Sequence, residues 1–316
     1  MSAPTMPYAT LSDPPALTRL LINPKGEVRA LWRLLFYAAL VGALAYLCNH
    51  LGAAIAAYYH FDLPAAASGP MRPSFQIVGE AVSLLAVLVP ALVMGRLERR
   101  GLADYGLPLR GPVLRQFLIG SVWGFLLISA VIGGIALFHG YDFGGLALSG
   151  TAVAEYGLGW LVGFVLVGLF EEFTFRGYTQ FTLASGIGFW PGAILLSALF
   201  GAAHLSNPGE GWVGALQVFQ VAMFFCLTLR LTGNLWFAIG AHATFDWGET
   251  FLYSVPNSGL VATGHLSASS LHGGRWLTGG SVGPEGSVIC FIAVFLAIVL
   301  FAVVYGGKGR GEVKPG

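Results

Sequence analysis

Charge is what this chain has least of. Only 10% of its 316 residues are Asp, Glu, Lys or Arg, against about 25% in soluble domains. Hydrophobic residues make up 56%. That balance excludes an ordinary water-solvated domain and points to a polytopic membrane protein, for which lipid is the main solvent. The net charge is +1, so the basic footprint of a nucleic-acid binder is missing. Cysteine is scarce too: Cys48, Cys226 and Cys290 are scattered through apolar runs. No CxxC or zinc-finger spacing exists, and the three read as small membrane hydrophobes. HExxH and GxSxG are both absent, and no cysteine adjoins a histidine. A metal site would therefore have to be assembled from separate helices, and no nucleophile motif competes. No internal repeat is evident, which removes support for an inverted-repeat transporter. The Pro-rich, polar first 30 residues lack the apolar core of a cleavable signal peptide, so the first long apolar run is expected to act as an uncleaved anchor.

Long apolar runs are what the chain has in abundance. A membrane-crossing helix needs about 20 mostly apolar residues. Eight stretches qualify: Leu31–Tyr46, Phe75–Met94, Phe117–Phe138, Tyr156–Phe175, Phe189–Leu205, Trp212–Leu229, Leu235–Tyr253 and Val288–Tyr305. The first is able to continue through "CNHLGAAIAAYYH". The expected fold is an all-α polytopic transmembrane helix bundle of about eight spans, with both termini cytoplasmic. Basic residues test that topology, because cytoplasmic loops are enriched in them. With the N-terminus inside, 14 of the 16 Lys and Arg residues fall on the inner side, Arg176 among them, and only Arg72 and Arg275 fall outside. The expected location is a multi-pass one in the cell membrane, the inner or plasma membrane if the source is bacterial.

The chain divides as follows. Residues 1–30 form a polar cytoplasmic segment, 31–155 a three-helix membrane region and 156–253 a membrane core that carries the chemistry. Residues 254–286 form an outer Gly/Ser-rich loop, and 287–316 the last helix with a basic tail. The outer loop reads either as a disordered connection or as a re-entrant cap over a site, with Trp276 at headgroup level.

Ionisable side chains at bilayer depth are costly, about 2.5–3.5 kcal/mol each on insertion scales, and face the bundle interior. "GLFEEFTFRGYTQ" holds Glu171, Glu172 and Arg176. Glu172 and Arg176 are four apart and share a helix face, whereas Glu171 is rotated by about 100°. "SALFGAAHLSN" adds Phe200 and His204. "FAIGAHATFDWGET" adds His242 and Asp246, again four apart, with Glu249 close to that face. Glu80 is a further candidate, and Gln217 and Gln220 suit interhelical hydrogen bonds. Together these residues form an acid/base set inside the membrane. A carboxylate beside an imidazole deprotonates water. A second imidazole stabilises the oxyanion that water attack creates. His, Glu and Asp also ligate zinc, so Zn2+ on Glu171, His204, His242 and Asp246 is a candidate cofactor.

"EEFTFR" fits EExxxR, "FGAAH" fits FxxxH, and "HATFD" is a variant of HxxxN. In order and placement, from roughly Tyr156 to Tyr253, they resemble the CPBP intramembrane proteases, which include the type II CAAX prenyl endopeptidases and the bacteriocin-processing Abi proteins. The resemblance implies that Glu171 activates water with His204 as partner. It implies that Glu172 and Arg176 are a supporting salt bridge and that His242 is an oxyanion stabiliser or a metal ligand. Asp246 stands where the family has Asn. An ionised Asp only accepts hydrogen bonds, so Asp246 is read as orienting His242, with burial-driven protonation or a bound cation as the alternatives. The implied activity is hydrolysis, glutamate-dependent or metal-assisted, of a peptide bond in a membrane-anchored protein or lipidated peptide. The site is expected near the cytoplasmic leaflet. Two rivals stand beside it: a proteolytically inactive membrane scaffold or immunity protein, and a proton-coupled transporter using Glu171, His204 and Asp246 as a relay.

Overall fold

The computed structural model describes residues 16–24, 26–60, 70–207 and 209–307. Most of the polar N-terminal segment and the basic tail, with Lys25, Lys308, Arg310 and Lys314, lie outside the described residues. After the short helix α1 (Ala16–Leu21), all eight apolar stretches fold as helices. They are α2 (Ala30–Tyr58), α3 (Pro73–Glu98), α4 (Val113–Leu137), α5 (Thr151–Arg176), α7 (Phe189–His204), α8 (Trp212–Thr232), α9 (Trp236–Trp247) and α11 (Val288–Gly306). Helix α6 (Tyr178–Ile187) extends α5 beyond a break at Gly177, and α10 (Arg275–Thr278) is a single turn in the outer segment. The protein is a multi-pass, helical membrane protein: among the described residues, six helices are long and apolar enough to cross a bilayer.

Two of the eight expected spans are shorter than that. Helix α7 has 16 residues, and α9 has 12 before passing into a π-helical turn over Gly248–Leu252. At 1.5 Å per residue these helices reach about 24 and 18 Å, less than the ~30 Å hydrocarbon core. Helix α9 is buried within the bundle along most of its length, whereas α7 keeps one apolar face exposed at Ile194, Leu195 and Leu199. Both carry motif residues, His204 on α7 and His242 and Asp246 on α9. The first helix runs on to Tyr58, well past Tyr46.

The way α9 is seated explains its precision. At Gly120 an added Cβ would overlap the carbonyl oxygen of Phe237, at Gly124 that of Ala241, and at Gly240 that of Phe117. Gly120 and Gly124 form a small-xxx-small pair, which allows two helix backbones to approach closely in a membrane. Thr244 Oγ1 then donates to the Ser121 carbonyl across the contact at 2.7 Å. Helix α9 is thus pinned to α4 on one side and rests against α5 on the other, where Gly168 faces the Ile239 carbonyl. Gln217 donates to Cys290 Sγ and Gln220 to the Phe291 carbonyl, tying α8 to α11.

Lipid-facing surfaces are rich in exposed Leu, Val and Ile, such as Leu51, Val78, Leu126, Leu199 and Val303. The interior is where polarity collects. At the basic end, Arg33 of α2 pairs with Glu98 of α3, which also accepts from Tyr105 and Tyr178. At the other end, the segment 254–286 folds over the bundle. Ser270–Leu271 (β2) pairs antiparallel with Tyr141–Asp142 (β1). Met71 N–H donates to the Val261 carbonyl, Thr263 N–H donates to the Met71 carbonyl, and Trp160 donates to the Thr263 carbonyl. Trp276 stays exposed.

Candidate active site

Helix α5 carries the adjacent glutamates, and its period separates their roles. Glu172 is fully buried, and its Oε1 lies 3.3 Å from Arg176 Nη1 one turn on. Arg176 is buried as well, with its guanidinium 4.5 Å from the Phe200 ring centroid and flanked by Phe175 and Phe225. This corrects its place in the loop tally: Arg176 is an interior cation and not a solvated inner-loop charge. The asymmetry of the remaining basic residues does not depend on it. Glu171, turned off that face, keeps 23% side-chain exposure and opens into a cavity of about 500 Å³.

His242 of α9 is the hub. Its Nδ1–H donates to Glu172 Oε1 at 3.0 Å, which fixes the ring and aims Nε2 the other way. Nε2 lies 3.6 Å from Glu171 Oε2 and 3.5 Å from Asp246 Oδ2. The Phe225 ring stacks on the imidazole at 5.5 Å. His204, from α7, donates Nδ1–H to the Phe200 carbonyl at 2.9 Å and packs edge-on against the Phe200 ring. Its Nε2 is left free to accept. His204 lines the same cavity as Glu171, His242 and Asp246, but no direct hydrogen bond joins it to Glu171. The imidazole beside Glu171 is that of His242 and not the expected His204. The reason is topological: α9 packs directly on α5, whereas His204 sits at the far end of the short α7.

Glu80 also lines the cavity, held by Gln76 Nε2 at 3.1 Å. Two further participants were not read from the sequence. Glu285, in the turn Pro284–Gly286, and Asn207, after α7, both border the space. Glu285 carried a signal, since it is the lone acid in an otherwise Gly/Ser-rich outer segment. Met71, Asn207, Asn257, Ser258 and Leu260 line the cavity from the side of the outer segment. All lie at the end opposite the Arg33–Glu98 cluster.

Zinc finds weak geometric support. Among the described residues, Glu171, His204, His242 and Asp246 do not form a group with mutually close ligand atoms. The group that does is Asp246, Glu249 and Glu285, within 4.8 Å of one another. Its donors are all oxygen, whereas zinc sites are built from His and Cys with fewer carboxylates.

Fold and site together define a polytopic helical membrane protein with an acid–imidazole cavity inside its bundle. Residues 153–248, which hold all three motifs, match the family model described as Rce1-like, type II CAAX prenyl endopeptidase Rce1-like. That is a family of membrane proteases acting on membrane-associated proteins. No curated protein matches the chain.

Proposed function

We propose that the protein is an intramembrane endopeptidase that cleaves a peptide bond in a membrane-anchored protein or lipidated peptide, using a water activated by Glu171. One observation carries this reading: Glu171, His204, His242 and Asp246, from three helices, line a single cavity within the bundle. Glu171 takes a proton from the water as its oxygen attacks the peptide carbonyl. His242, protonated on both ring nitrogens, pairs with the Glu171 carboxylate through Nε2–H and with Glu172 through Nδ1–H. His204 presents its second ring nitrogen to the water or, once protonated, donates to the oxyanion. The proton then passes from Glu171 to the departing amine as the C–N bond breaks. Asp246 orients His242 from one helical turn away. Leu127, Phe164, Val167, Phe170 and Val221 add an apolar stretch of wall, which suits a lipid-modified or hydrophobic peptide.

The lining supplied by the outer segment lies opposite the basic end of the bundle. With the basic end inside, the peptide reaches Glu171 from the extracytoplasmic side, in place of the cytoplasmic access suggested by the inner position of Arg176.

The test is a fluorogenic-peptide assay and metal analysis on purified protein in detergent, comparing wild type with Glu171→Gln, His204→Ala and Asp246→Asn. Cleavage by wild type, lost in Glu171→Gln and His204→Ala, is the expected result. If Glu171→Gln retains the protein's effect in cells, a scaffold or immunity role replaces the enzyme. Solute uptake into proteoliposomes driven by a pH gradient favours the transporter.

A further inference from the structure

Just beyond His242 lies a carboxylate cluster of which the hydrolytic reading uses only Asp246. Glu249 sits on the π-turn that follows α9 and is fully buried, and neither of its carboxylate oxygens has a hydrogen-bond partner. One oxygen each from Glu249, Asp246 and Glu285 lies within 4.8 Å of the others. Among the described residues, no Lys or Arg forms an ion pair with any of the three; His242 beside Asp246 is the one ionisable base. A buried, unpaired carboxylate is unfavourable, and three converging are more so. The cluster needs a positive charge or protons.

We propose that Asp246, Glu249 and Glu285 bind a hard divalent cation of calcium size. The donors are all oxygen, the chemistry of calcium and magnesium sites. Two oxygens at about 2.3–2.6 Å from a shared Ca2+ are at most ~5 Å apart, and the three carboxylate oxygens lie within 4.8 Å of one another. Mg2+, at about 2.1 Å, sets the tighter limit of ~4.2 Å. More oxygen is at hand. An added Cβ at Gly283 would overlap the Pro256 carbonyl oxygen and stand 3.5 Å from Glu249 Oε1, so a main-chain acceptor lies beside the cluster. Ser258 Oγ donates to Glu285 Oε2 at 3.0 Å and holds that carboxylate in place.

The cation joins parts that are distant in sequence. Asp246 ends α9, Glu249 lies on the π-turn, and Glu285 belongs to the outer segment that covers the cavity. Binding fastens the cover to the helix that carries His242. It also gives a reason for an Asp at 246: an anionic ligand serves the cation with one oxygen and faces His242 with the other. The site does not depend on proteolysis, because binding is measured without substrate.

The experiment uses the full-length protein in detergent, stripped with a chelator and titrated with Ca2+, Mg2+, Mn2+ or Zn2+ by calorimetry and thermal unfolding. Saturable binding of Ca2+ at one site, with a rise in Tm, is expected. Glu249→Gln and Glu285→Gln should each weaken it by about tenfold or more, since affinity follows ligand charge. Asp142→Asn, which removes an exposed carboxylate far from the cluster, should leave it unchanged. Glu249→Asp serves as the shorter-armed control if Glu249→Gln does not fold. The proposal is overturned if no cation binds saturably, if binding survives both Gln variants, or if Zn2+ alone binds. It is equally overturned if Glu249→Gln stabilises the stripped protein while Ca2+ leaves wild type unaffected, because protons shared between the carboxylates then suffice.

Discussion

Glu171 and Glu172 are neighbours in sequence, and replacing each by Gln should have opposite consequences. Glu172 is fully buried, 3.3 Å from Arg176. At an effective dielectric of about 20, two unit charges at that distance attract by ~5 kcal/mol. Loss of the carboxylate leaves a buried guanidinium whose remaining partners are aromatic rings, with Phe200 at 4.5 Å contributing about 1–2 kcal/mol. Glu172→Gln should therefore destabilise the fold by about 3–5 kcal/mol, as breaking one side of a buried pair does. Glu172→Gln combined with Arg176→Met should recover much of that loss, since no charge is then stranded. Glu171 is partly exposed and 3.6 Å from His242. Glu171→Gln should shift stability by at most ~1 kcal/mol while reducing hydrolysis on the order of 10²–10⁴-fold. SDS titration of the protein in detergent reads the first effect and peptide cleavage the second. The reasoning fails if both single variants destabilise equally, if the double variant is no more stable than Glu172→Gln, or if Glu171→Gln cleaves at the wild-type rate.

Gly124→Ala should cost about 1–3 kcal/mol and slow cleavage, because the new Cβ overlaps the Ala241 carbonyl next to His242; unfolding and activity measured together check both parts. Ser258→Cys, in a Cys48→Ser background, should react with a membrane-impermeant maleimide added outside intact cells. Labelling only after permeabilisation would place the cavity mouth on the cytoplasmic side. Glu210 lies in the connection between α7 and α8, and burial raises its carboxyl above its ordinary value of 4.5. The folded state thus holds that proton more tightly, and the stability it contributes is present below pH 4.5 and lost as pH rises. Glu210→Gln should raise Tm at pH 7 and leave it unchanged near pH 4, with the Gly211 N–H still accepted by the side-chain oxygen.

The helices were legible because lipid imposes a simple rule on them: long apolar runs become spans whatever surrounds them. The Glu172–Arg176 pair was legible because it needs only the helical period. What depends on three helices meeting was not. Nothing in "FGAAH" or "HATFD" says which imidazole stands beside Glu171; that follows from the seating of α9 on α4 and α5. The signal for that seating was in the sequence as Gly120 and Gly124, four apart, but it was hidden among 45 glycines. Arg176 misled in the other direction. Charge at a span's end resembles a loop residue until the aromatic rings around it are seen. Glu285 joins the cavity through a turn 39 residues from Asp246, a distance that no local pattern spans.

His242 is where these strands of reasoning meet. One imidazole has Glu172 on Nδ1 and both Glu171 and Asp246 near Nε2. A ring so surrounded serves each carboxylate only in turn, so the charge on its neighbours decides what it does for Glu171. Arg176 draws on Glu172 from one side. A cation shared by Asp246, Glu249 and Glu285 would draw on Asp246 from the other. With both flanking carboxylates engaged elsewhere, the Nε2 of His242 is left to Glu171, the carboxylate that opens into the cavity. The Asp at position 246 then complements the cation site in a way that a neutral Asn cannot, and the two are expected to be lost or retained together.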